Sequence, residues 1–490
     1  MTPVADIDPP TPISQRLEFA HPVHEGVPHL PAPGASRMSL PTARPRRVAL
    51  VCLTPRPDAQ ELGHLRLPSF GIRRIHAALL GDPELAGLQV AQIDRRADDL
   101  DGYVEEILAF EPDLVGFSIY VWSAPAMIEV ARRLRRHRPN LPIVFGGPSA
   151  RSAFFDLEPY SPAHRYLDAL VEGDGEEIIQ DIAKLSSFAR SDWESVRGLT
   201  LPTETGWHRT ERRPQIASLD RIASPYAHGL MPQGGVAYLE TFRGCPLSCR
   251  FCEWGSKENT KAAFSADYVA GELEAFRRHE APAVFLLDAG LNLNIGAFRN
   301  LRIANQRSGF LKETLFWAEI YPSIVRDEHL AFIEEIGTAY LGVGMQSMDP
   351  AVLRLHDRPS DSPRFEAAVR ALAAVTNIEL QIITALPGDT PEGFFRTLDY
   401  ALSLPANVRV YHCLVLPDAL LTRSRPEWNV RFDTETMTIR SCEGWSEEAV
   451  ERTRQELRRR ALIAGGKAGE FWWAFPRREE RPSWRRAAGQ

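Results

Sequence analysis

Val236-Ala237-Tyr238-Leu239-Glu240-Thr241 runs directly into Phe242-Arg243-Gly244-Cys245-Pro246-Leu247-Ser248-Cys249-Arg250-Phe251-Cys252. The first six residues read as a short buried strand, and Gly244 and Pro246 suit a tight loop after it. Further apolar runs of strand length follow at 283–287, 315–319, 340–345, 379–384 and 408–416, with helical patterns between them. Strands alternating with helices predict a parallel sheet covered by helices, here six βα units closing part-way into a barrel over residues 235–422. A complete eight-fold barrel needs roughly 250 residues, more than this stretch offers.

The same alternation occurs upstream. Arg47-Val48-Ala49-Leu50-Val51-Cys52-Leu53 is a buried-type run, followed by strand patterns at 88–93, 113–119, 142–147 and 169–173 with helices between them. This predicts an α/β, doubly wound, Rossmann-like domain over 46–185. Residues 186–234 are polar and proline-punctuated and read as a linker with a short hairpin near 198–208. Residues 423–490 read as a small C-terminal region with a helix from Ser446 to Leu462 and a Trp-rich end at Phe471-Trp472-Trp473. Ten of the 38 prolines fall in residues 1–45, which read as a disordered tail.

The chain of 490 residues is too long for one core. A formal net charge of -7 without a basic block argues against nucleic acid, and no apolar run reaches the ~20 residues that a membrane span needs. Six cysteines, three of them within one eight-residue window, fit an intracellular metal site in a reducing compartment better than a secreted disulfide framework. A cytoplasmic location is expected, with no signal peptide at the N-terminus.

Three thiolates at CxxxCxxC spacing can hold three irons of a [4Fe–4S] cube and leave the fourth iron open. Zinc is the competing occupant, but it wants four ligands, and His208 and His279 are far away in sequence. Cys413 or Cys442 would have to supply a fourth ligand from a distance.

With this loop the sequence resembles the radical S-adenosylmethionine (SAM) superfamily from residue 46 onward. Cys252-Glu253-Trp254-Gly255 resembles the family's aromatic position near the adenine. Phe285-Leu286-Leu287-Asp288-Ala289-Gly290-Leu291-Asn292 resembles its second-strand element, Gly342-Val343-Gly344-Met345-Gln346-Ser347 its fourth-strand motif, and Leu386-Pro387-Gly388-Asp389-Thr390 the element after its fifth strand. The resemblance implies that SAM chelates the open iron, with Trp254, Asp288, Glu319, Gln346 and the backbone near Ile383 on the SAM side. Each alone is equally a packing feature.

The front domain resembles the cobalamin-binding domain ahead of many radical SAM methyltransferases. The likeness lies in Leu67-Pro68-Ser69-Phe70-Gly71-Ile72, Gly116-Phe117-Ser118-Ile119-Tyr120-Val121-Trp122-Ser123, Gly146-Gly147-Pro148-Ser149 and Glu172-Gly173-Asp174-Gly175-Glu176, each after a strand. It implies cobalamin contacts at Ser118, Tyr120, Gly146, Gly147, Gly173 and Glu176, with Trp122 packing on the corrin; plain turns and core aromatics are the alternative. The Asp-x-His-x-x-Gly sequence of other B12 enzymes is absent. His64 or Arg66 would then face the cobalt from below, His64 as a ligand or Arg66 as a charge that keeps a ligand away, unless both are solvated loop residues.

The resemblance implies a class B type methyltransferase that moves a methyl from SAM through methylcobalamin to a carbon of a small molecule or amino acid. Size and layout are most similar to the tryptophan 2-C-methyltransferases of natural-product pathways. In that type a carboxylate fills the open iron corner, for which Glu253, Glu272 and Glu319 are candidates. Tyr321 and His412 are candidates for acid–base or positioning roles. An external reductant such as flavodoxin or ferredoxin is the expected partner. The alternative is a cobalamin-dependent cyclisation or rearrangement without methyl transfer. A methylthiotransferase would need three more front-domain cysteines, where only Cys52 stands, and a cobalamin sensor would not need the cysteine loop.

Overall fold

The computed structural model describes residues 46–54, 67–256 and 262–478. The tail read at 1–45, and His64 and Arg66, lie outside the described residues.

The front sheet contains β1 (Arg47–Cys52), β2 (Gln89–Asp94), β3 (Leu114–Ser118), β4 (Ile143–Gly146), β5 (Ala169–Val171), β6 (Leu199–Thr203) and β7 (Gly206–Arg209), in the order 2-1-3-4-5-6-7. β2-β1-β3-β4-β5 are parallel. β1 reads Arg-Val-Ala-Leu-Val-Cys, and its last five residues are buried, because helices cover both faces of a parallel sheet. The segment after β3 and the glycine-bearing segments after β4 and β5 stand together at the sheet's carboxyl edge.

The hairpin expected inside a linker is present, but it is not free-standing. β6 adds antiparallel to β5 and β7 to β6, so residues 199–209 complete the front sheet. Otherwise β5 would be an edge with unpaired backbone groups.

The second sheet places β8 (Ala237–Leu239), β9 (Ala283–Leu286), β10 (Leu315–Ile320), β11 (Ala339–Gln346), β12 (Asn377–Thr384) and β13 (Asn407–His412) in sequence order, all parallel. β8 and β13 do not pair, so the barrel is open. The sixth strand stops at His412 rather than running to Leu416: the Cys413 amide still donates to Thr384 of β12, but the Cys413 carbonyl accepts from Ile439 and the Val415 amide donates to Met437.

The C-terminal region holds strands as well as the expected helix, which spans Glu447–Ile463. β14 (Arg431–Phe432) and β15 (Ile439–Ser441) form a hairpin. The Trp-rich end is β17 (Trp472–Phe475), antiparallel to β13, and β16 (Lys467–Ala468) pairs outside it. Burial of Trp473 and Phe475 on one face and cover for the β13 edge explain why this segment is a strand.

Candidate functional site

Strand β8 delivers the cysteine loop, and its start is fixed by Asp288, just past β9. One Asp288 oxygen accepts the amides of Thr241 (2.8 Å) and Phe242 (3.3 Å), and the other accepts the Thr241 hydroxyl. Burial pushes the Asp288 carboxyl up to about 7 against these three donors. Sequence reading placed Asp288 beside SAM. The structure instead spends both of its oxygens on the loop.

Cys249 is buried, and Cys245 and Cys252 are half-buried. Among the described residues no three His, Cys, Asp or Glu side chains converge as ligands of one metal ion. A cube holds each thiolate on a different iron, so its ligands stand farther apart than those of a single zinc. The surroundings suit an electron-rich centre. Arg358 reaches the Cys249 sulfur at 3.8 Å and donates to the Gly344 carbonyl. Arg423 donates to the carbonyls of Ser248, Cys249 and Cys252. Arg250 pairs with Asp357 at 2.7 Å and pins the loop's outer side.

Inside the open barrel, two glycines make room for polar groups. A Cβ on Gly342 would lie 2.2 Å from the Glu319 carboxylate, and one on Gly344 would lie 2.7 Å from Gln346 and 3.0 Å from Arg358. Glu319 accepts from Gln381 at 2.9 Å, and burial raises its carboxyl. Gln346 sits at φ 65 where β11 ends in a register shift. Glu319, Gln346, Gln381 and Arg358 thus gather beside Cys249. Tyr321 lies next to them, with Arg358 over its ring at 5.3 Å and its hydroxyl given to the Pro359 carbonyl at 2.6 Å. It lines a cavity with Ser323, Met345, Arg358 and Phe365. Its occupied hydroxyl makes it a wall of the site rather than a free acid.

His412 does not reach this site. In β13, Arg409 and Tyr411 point into the barrel and alternation sends His412 outward. It is buried there against the Ile439 carbonyl (2.8 Å), and burial lowers its pKa to about 4. Glu272 is also elsewhere: it is buried in the helix 266–278, where Arg74 is its nearest countercharge. Glu253 lies close to the amide of Asp418, and Trp254 is exposed beside it at the end of the loop.

At the front sheet's carboxyl edge, Tyr120 and Trp122 stack with centroids 4.5 Å apart, and Trp122 is 54% exposed. Ser118 and Gly146 are half-buried beside them. Gly147 is at φ 101, where a Cβ would press on the Ile119 backbone, so its glycine is accounted for by packing. Gly173, at φ 138, opens onto free space. Small residues, the open space at Gly173 and the exposed Trp122 ring fit a bulky planar cofactor at this edge. Glu176 does not line that room. It binds Arg243 of the cysteine loop at 2.5 Å.

Sequence reading missed Arg243, Arg358, Gln381 and Arg423. Arg243, two residues before Cys245, and Arg358, just past the fourth-strand motif, were visible as cations near motif residues; Gln381 and Arg423 had no local signal.

The comparisons agree with this geometry. Residues 65–183 match the B12 binding domain, and residues 239–401 match the radical SAM superfamily. The cobalamin-dependent radical SAM methyltransferase TokK of Streptomyces tokunonensis is 27% identical over 64% of this chain and 48% of its own. The 2-(S-pantetheinyl)-carbapenam-3-carboxylate methyltransferase of Streptantibioticus cattleyicolor is 29% identical over 65% and 50%. The chain thus spans about half the length of these curated relatives. Among solved structures, the radical SAM methyltransferase TsrM of Kitasatospora setae, with tryptophan and a SAM analogue bound, superposes with a TM-score of 0.63 at 18% identity, over 82% of this chain and 86% of its own. No described helix is long and apolar enough to cross a membrane.

Proposed function

Since this chain belongs to the radical SAM enzymes that carry a B12-binding domain, we propose that it transfers a methyl group from SAM to a carbon of a small molecule. The observation that carries the reading is the fastening of the cysteine loop to the front sheet's carboxyl edge. Arg243 holds Glu176, which stands at the start of the helix after β5. This sets the proposed units, 46–185 and 235–422, with their two cofactor edges against each other.

In this proposal Cys245, Cys249 and Cys252 hold a [4Fe–4S] cluster, and Ser118, Tyr120, Trp122, Gly146 and Gly173 flank cobalamin. When bound, the cluster supplies an electron and an open iron for SAM, and cobalamin supplies a methyl carrier. Glu319 and Gln346 orient SAM, with Gln381 holding the Glu319 carboxylate in place. Arg358 offers a fixed positive charge beside Cys249 to a carboxylate. Tyr321 closes one wall. An external one-electron donor such as flavodoxin or ferredoxin completes the system. Tryptophan as acceptor rests on likeness of fold alone, and the carbapenam-3-carboxylate methyltransferase among the relatives, 29% identical, puts a carbapenam-type carboxylate ahead of it.

The test is anaerobic reconstitution with iron, sulfide and cobalamin, followed by labelled SAM and a panel of acceptors that includes carbapenams and tryptophan. The expected result is about four irons and about one cobalamin per chain, with a product heavier by one CH₂. Four irons without cobalamin would overturn the methyl-carrier step. An altered product without added mass would replace methylation by rearrangement.

A further inference from the structure

The segment after β13 crosses the cysteine loop, and one of its side chains makes an unusual set of contacts. The Arg423 guanidinium donates to the Ser248 carbonyl at 3.4 Å, to the Cys249 carbonyl at 3.1 Å and to the Cys252 carbonyl. The contact is reciprocal, because Arg250 of the loop donates to the Arg423 carbonyl at 3.1 Å. Among the described residues Arg423 has no carboxylate at ion-pair distance, and its Nε is buried without a hydrogen-bond partner. The segment is itself moored to the front sheet, where Arg151 pairs with Asp418 at 2.5 Å.

A cationic fork on three carbonyls of one short loop is a large commitment. Hydrogen bonds to a charged donor contribute more than neutral ones, and the planar guanidinium fixes their directions together. Two of the three carbonyls belong to cysteines of the cluster motif. Arg423 therefore constrains the backbone at two of the three iron ligands and brings a permanent positive charge to the same place.

We propose that Arg423 is a positioning residue for the iron–sulfur cluster, holding the three-cysteine loop in its ligating shape and raising the cluster's reduction potential. The proposal rests on the cluster reading above. One-electron reduction adds negative charge to the centre, and a nearby guanidinium favours that state. Losing the charge lowers the potential. Losing the fork loosens the loop and speeds iron release.

The experiment compares reconstituted wild type with Arg423→Met and Arg423→Lys, all shown to be folded by circular dichroism and melting. Iron release to bathophenanthroline and the midpoint of a dithionite titration followed by electron paramagnetic resonance are the readouts. Arg423→Met is expected to release iron about 10-fold faster or more, the scale of one lost charge-assisted hydrogen bond, and to have a lower midpoint. Arg423→Lys is expected to restore the midpoint but only part of the iron retention. Equal release rates and midpoints for all three proteins would overturn the proposal. If Arg423→Met fails to fold, Arg423→Lys decides alone: release as slow as wild type overturns the role of the fork. Wild type that takes up no cluster would sink the cluster reading itself, a distinct outcome.

Discussion

Arg243 and Glu176 meet at 2.5 Å across the gap between the two sheets, with side chains only 14% and 8% exposed. Burial pushes the Glu176 carboxyl up, but Arg243 overrides it and holds the group below the usual carboxylate range. Arg243 also takes Glu240 at 2.9 Å, and Arg74 of the front unit reaches the same Glu240 at 3.4 Å. The cysteine loop is thus tied to the front sheet through a shared set of buried charges.

Breaking that tie from one side leaves an uncompensated buried charge. Arg243→Met should destabilise the protein by about 3–5 kcal/mol, seen as a large drop in melting temperature. Glu176→Gln should cost less, because Arg243 keeps Glu240. In the double variant the losses should not add, since the two side chains share one contact. Additive losses would show that the pair carries little of the attachment.

Asp288 gives a pH signature. Its folded pKa is raised to about 7 from 3.8, so between those values the folded protein binds a proton that the unfolded chain has released. Its contribution to stability is complete below pH 3.8 and is lost as pH rises through 7. Asp288→Asn cannot titrate. The melting temperature of wild type minus that of Asp288→Asn should therefore fall steadily from pH 5 to 8 and level off above. A flat difference would mean that Asp288 does not titrate in this range.

The parts of the site that were legible in the sequence are the contiguous ones. The three cysteines lie in one loop, and the buried parallel strands announce themselves as short apolar runs. Pairings across long separations were not legible. Glu176 and Arg243 are 67 residues apart, so Glu176 read as a cofactor contact rather than as the partner of Arg243. His412 was misplaced for another reason: only the register of β13 shows which alternate residues face the barrel. The hairpin at 199–209 was recognised as a hairpin, but nothing local said which sheet it would join.

A side chain at Gly342 should displace the Glu319 carboxylate. An added methyl would fall on the Glu319 carboxylate, and Glu319 would have to leave Gln381. Overpacking of this kind costs about 1–3 kcal/mol. Gly342→Ala should therefore lower the melting temperature and weaken SAM binding about 10-fold or more, 1.4 kcal/mol being a factor of ten. Equilibrium binding of SAM to the reconstituted protein checks it. Unchanged affinity would remove Glu319 from the SAM site.

His412 should matter for stability and not for chemistry. It faces away from the barrel interior, is 3% exposed and is bonded through Nε2 to the Ile439 carbonyl, joining β13 to β15. Its folded pKa is lowered to about 4 from 6.5, so it is neutral at pH 7 and the unfolded chain binds the proton first as pH falls. Stability from this residue is complete above 6.5 and is lost between 6.5 and 4. His412→Leu removes that acid sensitivity but leaves the Ile439 carbonyl without its partner, a cost of about 1–3 kcal/mol. The variant should melt lower at pH 7, with a smaller further loss at pH 5 than wild type shows. Its turnover per folded, cluster-loaded molecule should stay within about 2-fold, a barrier change of about 0.4 kcal/mol. A hundred-fold fall in turnover at full cluster content would return His412 to the active site.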